Sequence, residues 1–185
     1  WIDDKVSTDE LEEELCRFFE TDSLKELKEF SAAKIAWLYR SKHLAQHMES
    51  IPFSPARLRD SIGTLRKMLQ DPEDTENVAQ VLADTGVLFL AVEGLPRIKL
   101  DGVCFWIDER PVIAMTLRLD RIDNFWFVLR HEIEHVLRED AKGCDIKQLT
   151  PDSETTMSVE SGTNREAAAN KAAADFCIPL EEMTK

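Results

Sequence analysis

The sequence lacks any apolar run long enough to cross a lipid bilayer. Its longest runs, residues 87–92 and 112–117, are far shorter than the roughly 20 residues that a membrane-spanning helix needs. The opening stretch, WIDDKVSTDELEEEL, also lacks the basic and apolar segments of a secretory signal peptide. We therefore expect a cytoplasmic protein that has no membrane partner.

Positive charge is also scarce in this chain. There are 36 acidic and 23 basic residues, which give a formal charge of −13 at pH 7. Binding to a phosphate backbone depends on clustered lysine and arginine side chains, so such an acidic surface argues against direct binding of nucleic acid.

Closely spaced cysteines are absent as well. The chain has no CxxC pair, and its cysteines are Cys16, Cys104, Cys144 and Cys177. This spacing favours neither a thiolate zinc site nor a compact disulfide framework. The chain does contain 43% hydrophobic residues among 185, enough for one domain with a core and a small helical unit attached to it.

The first half of the chain has the apolar periodicity of helices. The predicted helices cover residues 8–20, 23–49, 54–69 and 71–84. Because Pro52 and Pro55 interrupt the pattern, we divide the chain into an N-terminal helical region, 1–50, and a main domain, 51–185. The sequence opens on Trp1 instead of methionine, so we expect a further segment to precede it.

Past Gly86 the pattern changes to short β-like runs separated by turn-forming segments. The predicted strands are residues 87–92, 103–107 and 111–117, and the predicted later helices are 120–138 and 164–176. Residues 141–162 are polar and are predicted to form a loop. We expect an α+β fold in which a small antiparallel sheet packs on helices.

The segment HEIEH at residues 131–135 has the spacing of a metal site. In an α-helix His131 and His135 lie one turn apart on the same face, so both imidazoles can bind one Zn²⁺. Glu132 lies beside them and is the candidate general base toward a water that zinc activates. A chance match is the alternative, but the apolar segment at 125–129 leads directly into the motif.

A catalytic zinc needs three protein ligands, and Glu166 is the predicted third. The small alanines at 167–169 would let its helix approach the HEIEH helix closely. Asn170 follows Glu166 by four residues, a position from which it can hydrogen-bond a ligating histidine. The alternative is that Glu166 is only an acidic first-turn residue favoured by the helix dipole.

Three further features have weaker functional interpretations. The pair His43 and His47 has no intervening glutamate, and we expect it on a solvated helix face. The strand at 111–117 is a candidate edge for an extended peptide substrate, with an ordinary core strand as the alternative. The sole tyrosine, Tyr39, lies in the N-terminal helices, so the candidate oxyanion donors are Arg118, Arg121 and Arg130.

The order of these motifs resembles that in the ImmA/IrrE family of metallopeptidases. The matching features are HEIEH, the E-x-x-A-N segment that contains Glu166 and Asn170, and the ending DFCIP with Pro179. The segments KLDGVCFWIDERPVIAMTLR and D-x-FWF-x-L-x-HE look like versions fused to HigA-type (XRE) helix-turn-helix regulators. FF-x-x-x-SLKEL is similar to the linker helices of those fusions, so the resemblance covers most of the chain.

This resemblance implies a zincin-like α+β fold, zinc dependence, and cleavage or control of a transcriptional repressor. It also implies that residues 1–50 are a linker from a DNA-binding domain upstream. The function that we expect is a zinc-dependent endopeptidase acting on a repressor or on its own regulator, in a stress or toxin-antitoxin response. Its partner would be a protein or peptide substrate, and homodimer formation stays open.

Two alternatives belong to other functional classes. The chain could be a non-catalytic zinc-binding sensor, in which the metal stabilises the fold and the output passes to an attached DNA-binding domain. It could also be an antitoxin that neutralises a toxin, an expectation that rests only on analogy with the fusions.

Overall fold

The computed structural model describes residues 32–95, 98, 100–117, 119, 121–139 and 159–178. Several predictions lie outside these residues: the helix at 8–20, the start of the helix at 23–49, most of the loop at 141–162, and the side chains of Cys16, Arg118, Cys144 and Pro179. Within the described residues, no helix has both the length and the apolar character needed to cross a membrane.

The described part of the chain contains five α-helices, one 3-10 helix and three strands. The helices are α1 (Ala32–Gln46), α2 (Pro55–Met68), the 3-10 helix (Pro72–Asn77), α3 (Val78–Ala83), α4 (Ile122–Arg138) and α5 (Val159–Cys177). The strands are β1 (Leu88–Ala91), β2 (Gly102–Ile107) and β3 (Arg110–Met115). The predicted α+β class is therefore confirmed.

Helix α2 begins where the sequence predicts. The Ser54 side chain accepts a hydrogen bond from the Arg57 backbone N–H, and Pro55 occupies the first turn, where its missing N–H costs nothing. The predicted single helix at 71–84 is wrong in its first half, which is 3-10 helix capped by Asp71. Only the short α3 follows it, and Gly86 then ends the segment with a φ of 90°.

The sheet is mixed, so the prediction of an antiparallel sheet is wrong. Its strand order is β1-β3-β2, with β2 and β3 antiparallel and β1 and β3 parallel. The physical reason is that β2 follows β1 in sequence but does not pair with it, and lies two strands away on the other side of β3. That separation is only about 10 Å, which the connection at 92–101 spans easily. The β2–β3 hairpin turns at Asp108, which has a φ of 54°, and places β3 between β1 and β2.

Both faces of the sheet are buried, because consecutive residues of β2 and β3 point alternately to two hydrophobic clusters. One cluster includes Cys104, Trp106, Ile113 and Met115 and is covered by α2, α3, α4 and α5. The other includes Val103, Phe105, Val112 and Ala114 and is covered by α1. The described part of the predicted region 1–50 therefore packs on the sheet, and the proposed division at residue 50 stays a prediction.

Helix α5 begins earlier than the sequence indicates. It starts at Val159, although the prediction placed residues up to 162 in a loop and began the helix at 164. The loop prediction is therefore wrong for residues 159–162. Since Ser, Gly and Thr at 161–163 are poor helix formers, local propensity gave no sign that the helix continues through them.

Trp37 fixes α1 to the sheet, and its substitution tests that contact. The side chain is fully buried, and its indole N–H donates to the Val92 carbonyl at 3.2 Å. We expect Trp37→Ala to lower the free energy of unfolding by about 3–5 kcal/mol, because it leaves a large cavity. Trp37→Phe keeps most of the apolar contact and should cost less. Urea denaturation measures both, and equal losses would contradict a packing role.

Candidate metal centre

Helix α4 places its histidines at the margin of the core. Its buried residues include Trp126, Leu129, Ile133 and Val136, which share the helical face that packs inward. His131 and His135 lie beside this face, with side chains 15% and 13% exposed. They are thus shielded from bulk solvent but not sealed within the core.

The structure brings the three predicted ligands together. The Nε2 atoms of His131 and His135 are 3.0 Å apart. Glu166 of α5 lies opposite, with one carboxylate oxygen 3.3 Å from His131 Nε2 and the other 3.3 Å from His135 Nε2. All three ligand atoms lie within 4.8 Å of one another, so the group could hold a metal ion.

These distances allow one metal ion to be bound between the three side chains. With metal–ligand bonds of about 2.0 Å, neighbouring ligand atoms of a tetrahedron are separated by about 3.3 Å. The nitrogen–nitrogen distance is slightly shorter than this, and each nitrogen lies 3.3 Å from a different carboxylate oxygen of Glu166. Among the described residues, no fourth His, Cys, Asp or Glu joins the group. Two imidazoles and one carboxylate are a donor set that fits zinc.

Asn170 lies beside the first histidine. Its side-chain oxygen lies 3.1 Å from His131 Nδ1. An amide oxygen can only accept, so Asn170 favours a proton on Nδ1 of His131, and Nε2, which faces Glu166, is the atom that a metal would bind. Glu166 and Asn170 are one turn apart on α5, so the same helix provides one candidate ligand and a hydrogen-bond partner of another.

Glu166 is not a first-turn residue, because α5 begins about two turns before it. The helix-dipole alternative is therefore wrong. Hydrogen bonds from His131 and His135 hold the pKa of the Glu166 carboxyl well below its usual range, although partial burial opposes the shift. The carboxylate is therefore in the charged form that binds a metal.

Glu132 points toward the sheet and is only 7% exposed. Burial raises the pKa of its carboxyl, while the nearby imidazoles of His131 and His135 partly counter this effect. A backbone N–H from Cys104 on β2 also donates to the Glu132 carboxylate. The predicted base is therefore held between the ligand helix and the outer edge of the sheet.

Gly102, which the sequence analysis did not single out, makes room for Glu132. A Cβ atom at this position would lie 2.6 Å from Val128 Cγ1 and 3.2 Å from a carboxylate oxygen of Glu132. Helix α4 can approach β2 this closely only because position 102 has no side chain. An isolated glycine at the start of a strand is a known sign of close approach, but it does not reveal the approaching residue.

The other predicted contributors lie elsewhere. Arg121 pairs with Asp123 at the start of α4, and Arg130 pairs with Glu134. Neither arginine contacts a ligand in the described part of the chain, and Arg118 lies outside it. Tyr39 stacks on His43 in α1, with ring centroids 6.4 Å apart. The structure therefore identifies no oxyanion donor among the described side chains.

Two further predictions have clear outcomes. The strand at 111–117 is not an edge, because β3 pairs with β1 on one side and with β2 on the other. Its role as a substrate edge is therefore wrong, and among the described strands β2 lies at the edge beside Glu132. His43 and His47 are both exposed, as predicted, and they belong to no described group of three ligands.

The alanines at 167–169 were predicted to let α5 pack closely, but they are not all buried. Ala169 is fully buried, but Ala167 is exposed and cannot assist close packing. Ala173, one turn beyond Ala169, is the second fully buried small residue. These two positions allow α5 to lie close to its neighbours.

Comparisons with known proteins provide no assignment for this site, since no protein-family model, curated protein or solved structure gives a significant match to the chain.

Metal binding can be tested by removing a ligand and the group that orients one. We expect Glu166→Ala to abolish tight metal binding, and Asn170→Ala to weaken it by about 10–100-fold, the usual effect of losing a partner of a ligating histidine. Asn164→Ala, at an exposed asparagine of the same helix, is the matched control. Competition with a chromogenic chelator measures the affinities. Unchanged affinity in Glu166→Ala would remove this residue from the ligand set.

The Gly102 contact can be tested with a second pair of variants. Gly102→Ala should lower the free energy of unfolding by about 1–3 kcal/mol, because the new methyl group overlaps Val128. Gly63→Ala is the control, since a Cβ there meets nothing within 4 Å. In the interior of α2 that change should stabilise by about 0.5–1 kcal/mol. Thermal and urea denaturation measure both, and similar effects would contradict the close approach.

Proposed function

We propose that this chain is a zinc-dependent endopeptidase with His131, His135 and Glu166 as ligands and Glu132 as the catalytic base. The observation that supports this most directly is the convergence of the three ligand atoms beside a buried glutamate. A structural zinc site normally has four protein ligands, whereas a catalytic site has three. The described ligand set, with three members, favours the catalytic class.

When bound, zinc would polarise a substrate carbonyl and lower the pKa of a water molecule. Glu132 would accept the proton of the attacking water and return it to the leaving amide nitrogen. Burial raises the pKa of this carboxyl, and a general base works best when its pKa lies near the pH at which the reaction runs. Asn170 would hold the imidazole of His131 in the tautomer that leaves Nε2 available.

The outer edge of β2 is the proposed binding site for an extended peptide. Thr116 N–H donates to the Asp101 carbonyl at 3.0 Å. Because backbone groups alternate along an antiparallel strand, those of Gly102 and Cys104 face away from β3, and the Cys104 N–H donates to Glu132. A peptide added along this edge would therefore run past the base, with main-chain hydrogen bonds contributing to its affinity.

The regulatory context is proposed from the sequence resemblance alone. The motifs that resemble ImmA/IrrE metallopeptidases favour a zincin-like domain in the cytoplasm whose substrate is a repressor or its own regulator. The acidic charge of −13 agrees with a chain that does not itself bind DNA. Attachment to a helix-turn-helix domain, and homodimer formation, are part of this proposal.

A non-catalytic zinc sensor is the second candidate. The observation that favours it is that none of the described candidate oxyanion donors lies beside the ligands. Peptidases of this type stabilise the developing oxyanion with a positioned donor. Arg121 and Arg130 are both paired away from the ligands, and Tyr39 lies on α1. The third candidate, an antitoxin, has no support from these residues.

Glu132→Gln separates the two main candidates. We expect this variant to retain one zinc per chain, since Glu132 is not a ligand, and to lose cleavage by about 100-fold or more. The substrates are a co-encoded repressor and the protein's own full-length chain, assayed by gel and mass spectrometry. Glu139→Gln, at an exposed glutamate just after α4, is the control and should remain active. A zinc-loaded wild type that cleaves neither substrate would reject the peptidase and favour the sensor.

A further inference from the structure

A second charged site lies where α2, α4 and α5 meet, and we refer to it as the arginine groove. It is an open groove of about 430 Å³. Its charged lining consists of Arg66, Arg130, Arg138, Lys171, Glu134 and Asp175. Four cations and two carboxylates give the groove a formal charge of +2. This is opposite in sign to the chain as a whole, whose formal charge is −13.

The arginines of the groove are held in place by other side chains. Glu134 accepts a hydrogen bond from Arg130 Nη2 at 2.9 Å and another from Arg138 Nε at 2.9 Å. Arg66 donates to the backbone carbonyl of Asp175 and lies over the Phe176 ring, 5.9 Å from its centroid. Because these guanidinium groups are already ordered, a ligand would lose little binding energy in positioning them.

Arg130 has a donor that the structure leaves unused. Its side chain is only 11% exposed, and its buried Nη1 atom makes no hydrogen bond. A buried charged donor without an acceptor is costly, so such a group usually has a partner that completes it. Glu134 already accepts from the other terminal nitrogen of Arg130. Among the described residues, no acceptor lies within hydrogen-bond distance of this nitrogen.

We propose that the arginine groove binds the phosphate group of a small molecule. A phosphate monoester is close to doubly charged at neutral pH, which matches the charge of the groove. Its oxygens suit the paired N–H groups of guanidinium ions. Apolar walls at Ile62 and Phe176, with small alanines at 168 and 172 beside them, leave space for the rest of an organic phosphate. The volume falls within the range of small-molecule sites.

This site is separate from the metal ligands, although the same two helices form both. His131 and His135 face Glu166, whereas Arg130 and Arg138 bind Glu134. The proposal therefore does not depend on zinc or on peptidase activity.

Binding of inorganic phosphate is the first test, using the whole chain and calorimetric titration against sodium chloride of equal ionic strength. We expect saturable binding at millimolar concentrations. Arg130→Gln should weaken it by about 10-fold or more, because a charged hydrogen bond is lost. Lys171→Gln should weaken it by about two- to fivefold, since this exposed side chain contributes mainly charge and can be replaced without harm to folding.

Two controls locate the binding site. Lys67→Gln removes an equally exposed lysine of α2 that does not line the groove, and it should leave the affinity unchanged. Glu166→Ala should also bind phosphate normally, whatever its metal content. If phosphate binding disappears in Glu166→Ala, the anion binds at the metal ligands and the proposal is wrong. Equal losses in Lys67→Gln and Lys171→Gln, or no saturable binding by the wild type, would also overturn it.

A comparison of ligands identifies the source of the phosphate. Tighter binding of glycerol phosphate than of inorganic phosphate would support an organic phosphate that uses Ile62 and Phe176, and equal affinity would support free phosphate. A short single-stranded oligonucleotide should bind no better than inorganic phosphate, because the rest of the chain is acidic. If the oligonucleotide binds more tightly and displaces phosphate, the small-molecule proposal fails.

Discussion

The packing of α4 against α5 is the contact on which the candidate metal centre depends. The two histidines come from α4 and the carboxylate from α5, so their separation is set by how closely the helices approach. Ala169 and Ala173 are fully buried, and Phe176 of α5 lies 6.3 Å from the ring of Trp126 of α4. Small residues at the first two positions permit the approach, and the aromatic pair anchors one end of it. A larger side chain at position 169 would separate the helices before it altered any ligand.

The position of the base depends on a different contact, between α4 and the edge of the sheet. Glu132 is adjacent to a ligand in sequence but points to another face, toward β2. Gly102 permits this, since a Cβ atom there would meet Val128 and Glu132. The candidate ligands and Glu132, the proposed base, therefore rely on separate packing surfaces. A substitution on one surface need not affect the other, so the spacing of the candidate ligands and the position of Glu132 can be changed independently.

The sequence allowed much of the site to be predicted, because its main signals are local. HEIEH has the spacing of one helical face, and Ser54 with Pro55 begins α2 where expected. Glu166 and Asn170 could be identified because their one-turn separation is also a local pattern. The structure places both beside His131.

The remaining features depend on contacts between distant residues. The parallel pairing of β1 with β3 follows from the placement of β3 between β1 and β2, which no local pattern encodes. The same pairing removed β3 from the edge that was proposed for substrate. Gly102 and the arginine groove likewise become visible only after α4 has been placed against its neighbours.

Helix α4 uses three of its faces at once. Glu132 contacts the sheet edge, His131 and His135 face α5, and Arg130 with Arg138 binds Glu134 in the groove. A single inserted or deleted residue within the helix would rotate everything beyond it by about 100° relative to what precedes it. Such a change would misplace residues on all three faces together. Related chains should therefore vary in the identity of residues along α4 far more readily than in its length, and insertions should gather in the segments before and after it.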